Sequence, residues 1–178
     1  MLLFIDACCR GDSRTRRLAK KLLATLDGGV KELKLYEKGL VPLDERELAL
    51  REELIAKADF SHEMFDLAKE LAAADEIVVA APYWDLSFPS ILKVYIERVS
   101  VRGITFGFDE SGAPFGLLKA KKLWYVTTMG AAGLPYDFGY GYVKAIFSIY
   151  YGVKDFGLVT LEALDLAGND PEKMLAEA

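Results

Sequence analysis

The sequence has few of the residues that build metal sites and disulfides. Its 178 residues include two cysteines and one histidine. The cysteines, Cys8 and Cys9, are adjacent, and adjacent residues do not offer the geometry of a structural disulfide. These two thiols and His62 also fall short of the four ligands of a structural zinc site. We therefore expect no disulfide, no metal site and a reducing, cytoplasmic setting.

Long apolar runs and an excess of positive charge are absent as well. No apolar run reaches the roughly 18 residues of a membrane span, and the N-terminus lacks the charged region and cleavage site of a signal peptide. The formal net charge is −5, which argues against a nucleic-acid partner. The composition is 52% hydrophobic and 28% charged, as in a globular protein. We predict a single domain over residues 1–178 with no membrane or nucleic-acid partner.

Strand and helix patterns alternate along the chain. The predicted core strands are Leu3–Ile5, Val30–Tyr36, Glu76–Ala81, Lys122–Thr128 and Phe156–Leu161. The predicted helices start near Ser13 and Pro89 or cover Asp44–Lys57, His62–Ala74, Phe138–Tyr151 and Pro171–Ala178. A small hairpin or an irregular excursion is expected around Asp109–Gly112 because these residues favour a turn. The alternation predicts an α/β fold with a five-stranded parallel sheet in the order 2-1-3-4-5 and helices on both faces.

Ligands of such sheets bind outside the carboxyl ends of the strands, where the strand order reverses. Three loops follow neighbouring strands at that edge: Asp6–Thr15, Pro82–Ser87 and Met129–Tyr136. The first loop contains no GxGxxG motif, so a dinucleotide site of the Rossmann type is not supported. We expect the three loops to border one crevice.

The first loop leads into an amphipathic helix. Its leucines recur every four residues, at Leu18, Leu22 and Leu26, as in a helix with one buried face. The cations predicted to face solvent are Arg16, Arg17, Lys20 and Lys21. Ser13 or Thr15 can cap the helix start.

The same helix start offers donors for a phosphate. The free N–H groups and the helix dipole favour an anion there, and the hydroxyls of Ser13 and Thr15 and the guanidinium of Arg14 are suitable donors. A plain capped helix with solvated arginines remains the alternative.

The second and third loops differ in composition. Tyr83 and Trp84 are two large aromatic residues in a short connection, and they can cradle a planar ring or simply cover the sheet edge. The small residues from Gly130 to Gly133 let the backbone approach a ligand closely. Their N–H groups can donate to a carbonyl or to a developing anion.

An ordered set of motifs runs from the second loop to the third. The motifs are PYWDL at Pro82–Leu86, GITF at Gly103–Phe106, GLLKAKK at Gly116–Lys122 and TTMGA at Thr127–Ala131. With these motifs the chain resembles the FMN-dependent NAD(P)H:quinone oxidoreductases of flavodoxin-like fold, which include the azoreductases. The family reads Pro-Met-Tyr-Asn-Phe, Gly-Val-Thr-Phe, Gly-Leu-Leu-Lys-Gly-Lys-Lys and Thr-Ser-Arg-Gly-Gly there. The resemblance covers most of the chain and implies a flavodoxin-like three-layer sandwich.

The resemblance also implies a cofactor, FMN, and the residues around it. The FMN phosphate would be surrounded by Cys9, Ser13, Arg14 and Thr15. The isoalloxazine ring would be lined by Pro82, Tyr83, Trp84, Asp85 and Leu86, and its pyrimidine side by Thr128, Met129, Gly130 and Ala131. The substrate pocket would include Tyr136, Phe138 and Tyr140, closed by the second subunit of a homodimer.

The implied activity is oxidoreduction by the flavin. NADH or NADPH would pass a hydride to flavin N5 and leave, and a quinone-like or other small aromatic acceptor would then take two electrons. No side-chain acid or base is required for this chemistry, and the sequence offers no catalytic triad or dyad.

Three residues depart from the family pattern. Asp85 replaces an Asn, and an ionised carboxylate there would oppose the negative charge of reduced flavin, so we expect it to be protonated or turned to a backbone donor. Met129 replaces an Arg, whose charge the N–H groups of Gly130 and Ala131 can replace. Gly133 stands where the family has His, so azo reduction is not assumed.

Two other functions are open at this stage. A flavodoxin-like electron carrier or a flavin-binding regulator would bind FMN but exchange electrons with protein partners. The spacing Cys8-x5-Arg14-Thr15 also matches the phosphate loop of low-molecular-weight tyrosine phosphatases, in which a thiolate attacks a phosphoester.

Overall fold

The computed structural model describes residues 1–178. The strands are β1 Leu2–Asp6, β2 Val30–Lys34, β3 Glu76–Ala80, β4 Phe106–Phe108, β5 Pro114–Gly116, β6 Lys122–Thr128 and β7 Asp155–Leu161. The helices are α1 Arg14–Leu23, α2 Glu45–Ala56, α3 Asp66–Ala73, α4 Ser90–Val99, α5 Tyr142–Ile149 and α6 Pro171–Glu177. None of the helices is both long and apolar enough to cross a membrane.

Five strands form one parallel sheet in the order β2-β1-β3-β6-β7. In terms of the five core strands this is the predicted order 2-1-3-4-5. The strands β4 and β5 form a separate antiparallel pair, which confirms the predicted hairpin. The carboxyl ends of β1, β3 and β6 are neighbours, so the three predicted loops meet at one edge of the sheet.

Side chains of the central strands point alternately to the two faces of the sheet, and each face is buried in its own hydrophobic core. On one face, Leu3 and Ile5 of β1 belong to a cluster of 25 buried residues with side chains from α3, α4 and α5. On the other face, Leu2 and Phe4 belong to a cluster of nine buried residues with side chains from α1 and α6. Successive strand side chains point to opposite faces, and both faces are therefore covered, which produces the three layers.

Several helix starts follow the sequence signals. The Ser13 hydroxyl accepts the Arg16 N–H at 3.3 Å and caps α1. Asp44 and Glu47 form a reciprocal capping box at the start of α2, and Asp170 caps α6.

Two predicted helices are wrong in extent. The predicted helix over residues 62–74 is a 3₁₀ turn, Glu63–Phe65, followed by α3, and the His62 ring accepts the Met64 N–H at 3.1 Å. The predicted helix over residues 138–151 begins as a π turn, Asp137–Gly141, before α5. Glycines are poor helix formers, and Gly139 is buried where a Cβ would lie 3.4 Å from the Tyr125 hydroxyl.

Candidate functional site

A cavity of about 360 Å³ opens at the carboxyl edge of the sheet between the three predicted loops. The predicted residues that line it are Cys9, Ser13, Arg14, Thr15, Pro82, Tyr83, Trp84, Thr128, Met129 and Gly130. The volume lies in the range of small-molecule sites. The structure therefore brings together most of the residues that the sequence assigned to one ligand.

Other predicted residues do not line this cavity. They are Asp85, Leu86, Ala131, Tyr136, Phe138 and Tyr140. Four lining residues were missed by the sequence analysis: Arg10, Asp12, Leu164 and Asp165. Leu164 and Asp165 follow β7, the strand beside β6, so the loop after the fifth core strand reaches the same edge. The strand order contained this signal, because a fourth loop at the carboxyl edge is adjacent to the third.

A buried ion pair supports the first loop. The Arg16 Nε donates to the Asp6 carboxylate, whose side chain is fully buried. The same guanidinium donates to the carbonyl oxygens of Cys8 at 2.7 Å, Arg10 at 2.7 Å and Gly11 at 3.0 Å. The second Asp6 oxygen accepts the Cys8 N–H at 2.9 Å. The prediction that Arg16 faces solvent is wrong: this side chain turns under the loop and fixes its shape.

The start of α1 presents donors to the cavity. Arg14 and Thr15 are the first two helical residues, so their N–H groups have no partner inside the helix. The Thr15 hydroxyl is buried and lies 2.7 Å from the Thr128 hydroxyl. This contact joins the first loop to the end of β6 and fixes the distance between two walls of the cavity.

A strained turn forms the second loop. Trp84 and Ser87 exchange backbone hydrogen bonds of 3.1 and 2.7 Å, and the two residues between them, Asp85 and Leu86, have φ values of 50° and 65°. Positive φ at both central positions is the type I′ geometry, which favours Asn and Gly. A leucine there is strained, and such strain is concentrated at functional sites.

Leu86→Gly should raise the free energy of unfolding by about 0.5–1 kcal/mol, because glycine adopts positive φ without the Cβ clash. Denaturant unfolding measures the change. Leu166→Gly is the matched control, since Leu166 is similarly exposed and has no positive φ. That change should destabilise the protein. A loss of stability for both variants would show that the turn carries no strain.

The third loop is tied to the loop after β7. The N–H groups of Ala163, Leu164 and Asp165 donate to the carbonyls of Ala131, Met129 and Gly130 at 2.7, 3.2 and 3.0 Å. The N–H groups of Gly130 and Ala131 themselves donate to no backbone carbonyl. Both N–H groups are therefore without a backbone partner, and of the two residues Gly130 lines the cavity.

The predicted substrate residues have different environments. Tyr136 donates to the Glu162 carboxylate and contacts the Thr160 hydroxyl at 2.7 Å. Burial and the Glu162 hydrogen bond raise the pKa of Tyr136 to about 12, so it stays protonated at neutral pH. Phe138 is 60% exposed, and Tyr140 packs against Tyr125 in the core. Phe138 is thus the one of the three with a freely accessible ring.

The Tyr136 ring also reaches the second loop. It lies edge-on to Tyr83, with ring centroids 6.3 Å apart. The Tyr83 hydroxyl donates to the Pro135 carbonyl at 2.9 Å, and Glu162 accepts the Gly133 N–H at 2.8 Å. Together these contacts hold the third loop against the aromatic wall of the cavity.

The environment of Cys8 contradicts the phosphatase hypothesis. Its side chain is only 2% exposed, and burial raises the pKa of the thiol to about 12. A phosphatase nucleophile is an accessible thiolate with a lowered pKa. Cys8 also does not line the cavity that contains Arg14. The exposed thiol is the neighbouring Cys9.

Comparison with known proteins identifies a family that covers the whole chain and relatives that cover most of it. A family model described as "Flavodoxin-like fold" matches residues 1–178. The chain is 36% identical over 148 residues to FMN-dependent NADH:quinone oxidoreductase 2 of Clostridium acetobutylicum, covering 80% of this chain and 72% of the relative. It is 34% identical over 181 residues to the FMN-dependent NADH:quinone oxidoreductase of Coprothermobacter proteolyticus, covering 94% of this chain and 87% of the relative.

Solved structures share the fold. An azoreductase from Bacillus anthracis superposes with a TM-score of 0.81 at 21% identity, covering 99% of this chain and 93% of that one. An FMN-dependent NADH-azoreductase from the same species, in complex with FMN, superposes with a TM-score of 0.76 at 18% identity. The match covers 98% of this chain and 92% of that one. At these identities the likeness shows the arrangement of strands and helices and nothing further.

Proposed function

The chain belongs to the flavodoxin-like family that includes these FMN-dependent NADH:quinone oxidoreductases, and from this membership we propose that residues 1–178 form a single-domain, FMN-dependent NAD(P)H oxidoreductase. It takes two electrons from NADH or NADPH and passes them to a quinone-like or other small aromatic acceptor. The observation that carries the proposal is that most of the residues expected around the phosphate, the ring and the pyrimidine line one cavity.

The start of α1 fits a phosphate group. Ser13, Arg14 and Thr15 supply a hydroxyl, a guanidinium and the free N–H groups of a helix start, and this donor set binds phosphates. Cys9 lies at the same wall of the cavity. We propose that these four residues hold the FMN phosphate, with Arg16 supporting the loop from below.

The other walls fit a planar ring. Tyr83 and Trp84 provide aromatic surface beside Pro82, and the turn residues Asp85 and Leu86, both with positive φ, follow them directly. The backbone of Gly130, whose N–H has no backbone partner, contributes to the wall formed by the third loop. We propose that the free N–H groups of Gly130 and Ala131, with Thr128 and Met129, face the pyrimidine carbonyls.

When bound, FMN supplies the two-electron transfer between a nicotinamide and an acceptor. The residues that line the cavity would bind and orient the cofactor. Tyr136 remains neutral at physiological pH, and Cys8 is a buried neutral thiol. Because the bound flavin would supply the electron-transfer chemistry, no residue of the site is required as a nucleophile or general base.

We further propose that the enzyme is a homodimer in the cytoplasm. At the rim of the cavity, Trp84, Leu86 and Phe138 are 40%, 45% and 60% exposed, and a second subunit that covers them would close the substrate pocket. The two free thiols, Cys8 and Cys9, suit a reducing compartment. The alternative, a flavin-binding electron carrier, is less favoured because the relatives bear the names of reductases.

Absorption spectroscopy tests the function directly. The protein, incubated with FMN and freed of excess, should show flavin bands that bleach on anaerobic addition of NADH or NADPH. A quinone should then restore the bands and support steady turnover. Bands that no nicotinamide bleaches would indicate a carrier or sensor, and the failure to retain or bind FMN would refute the proposal.

A further inference from the structure

We propose that Asp165 sets how strongly this site prefers a phosphorylated flavin, by competing with the phosphate for Arg14. The inference rests on the proposed FMN site and assigns a role to a residue that the sequence analysis did not single out. Asp165 follows β7, more than 150 positions after the phosphate loop. The tertiary structure places its carboxylate on the same cavity wall as Arg14.

The contact between the two residues is direct. Arg14 Nη1 donates to Asp165 Oδ1 at 2.7 Å, with the side chains 39% and 68% exposed. Arginine binds carboxylates and phosphates through the same donors. A phosphate at the start of α1 would therefore have to share or replace the Asp165 carboxylate on the Arg14 guanidinium.

The Asp165 carboxylate is held in position by its backbone. The Asp165 N–H donates to the Gly130 carbonyl at 3.0 Å, and the preceding Leu164 N–H donates to Met129 at 3.2 Å. A Cβ on Gly130 would lie 2.2 Å from Asp165 Oδ2, so the glycine permits the close approach of the carboxylate. The negative charge of Asp165 thus belongs to the wall of the cavity.

The other charged residues of the cavity determine how strongly the Asp165 carboxylate affects a bound phosphate. Arg16 donates to Asp6 and to three carbonyls, so its guanidinium is engaged under the loop. The cations that line the cavity are Arg10 and Arg14, and the carboxylates are Asp12 and Asp165. A phosphate monoester carries nearly two negative charges at neutral pH. The Asp165 carboxylate opposes the binding of this phosphate in two ways. It repels the phosphate as a like charge, and it occupies Arg14, one of the two cations that line the cavity.

Removing the charge of Asp165 should tighten the binding of FMN but not of riboflavin, which has the same ring and lacks the phosphate. We expect Asp165→Asn to lower the Kd of FMN about fivefold, the upper value for an exposed ion pair. The Kd of riboflavin should change less than about twofold. Because surface charges are screened, the gain should shrink at roughly 0.5 M salt.

The experiment titrates FMN and riboflavin into apoprotein and follows the quenching of flavin fluorescence. Asp155→Asn is the matched control, since Asp155 forms an ion pair with Lys122 at 3.4 Å, with side chains 65% and 38% exposed, away from the cavity. It should leave both Kd values unchanged. Circular dichroism and thermal unfolding confirm that each variant is folded, and Asp165→Ser provides a second uncharged variant.

The outcomes separate this inference from the proposed function. A wild-type protein that binds neither flavin refutes the FMN site itself. A wild-type protein that binds FMN, with Asp165→Asn and Asp165→Ser equal in FMN affinity, refutes the competition. Weaker binding by both variants also refutes it and assigns Asp165 the task of orienting Arg14. An equal gain for riboflavin and FMN would also overturn the inference, because the phosphate would then play no part.

Discussion

Arg16→Met should destabilise the protein by about 3–5 kcal/mol and abolish measurable binding of FMN. The substitution keeps an apolar stem of similar length but leaves the buried Asp6 carboxylate without its cation, and breaking one partner of a buried ion pair has a cost of this size. It also removes the donor from the carbonyls of Cys8, Arg10 and Gly11. The first loop then loses the contacts that fix its shape.

Arg17→Met provides the control on the same helix. Arg17 donates to Glu172 through two hydrogen bonds of 2.8 and 2.6 Å, but the side chains are 48% and 67% exposed. A surface pair contributes at most about 1 kcal/mol, and this residue does not line the cavity. Chemical denaturation and fluorescence titration with FMN measure both variants. Similar results for the two would falsify the role assigned to Arg16.

A double variant tests whether the loss of stability comes from the unpaired Asp6 charge. Asp6→Asn combined with Arg16→Met removes the charge that Arg16→Met leaves unpaired. Replacing both partners of a buried pair is often close to neutral, so the double variant should recover part of the lost stability. Its FMN affinity should stay low, because the carbonyls of the loop still lack their donor.

Gly116→Ala should lower the free energy of unfolding by about 3 kcal/mol, at the upper end of the range for overpacked positions. A Cβ there would lie 2.0 Å from the Tyr151 carbonyl carbon and 2.2 Å from the Gly152 nitrogen. These are backbone atoms, so no side chain can rotate away to relieve the contact. The hairpin and the end of α5 would have to separate.

Gly29→Ala is the control for this prediction. An added Cβ at Gly29 meets nothing within 4 Å, and the residue has no positive φ. Thermal and denaturant unfolding should place this variant within about 0.5 kcal/mol of the wild type. If Gly116→Ala proved equally harmless, the hairpin would not be packed against α5 as the structure has it.

Local patterns in the sequence were enough to predict the order of strands and helices and the edge of the sheet at which the cavity opens. Strands such as Glu76–Ala80 read as unbroken apolar runs because both faces of a parallel sheet are buried. Ser13 was one of two candidate caps for the first helix, and the structure confirms it, because capping involves residues only a few positions apart. The rule that ligands bind at the carboxyl edge then placed the three predicted loops together, and the structure agrees.

The first and last residues of the helices were predicted less accurately than the order of the strands and helices. The helix expected over residues 138–151 begins with a π turn, Asp137–Gly141, which the apolar periodicity of the segment does not indicate. Arg16 also stands at a position of the amphipathic helix pattern at which a side chain is expected to face solvent. Its true partner, Asp6, belongs to the preceding strand and is buried by elements on both sides.

The sequence by itself predicted the order of the strands and the edge at which the cavity opens, because periodicity and turn residues act over short distances. Its resemblance to the FMN-dependent oxidoreductases supplied most of the residues that line this cavity. Only the tertiary structure decided which charges are paired. Arg16 lies under the loop against Asp6, Arg14 meets Asp165, and Cys8 is buried with a raised pKa. These outcomes depend on contacts between residues up to 151 positions apart, and on burial by both layers of helices, which no local pattern encodes.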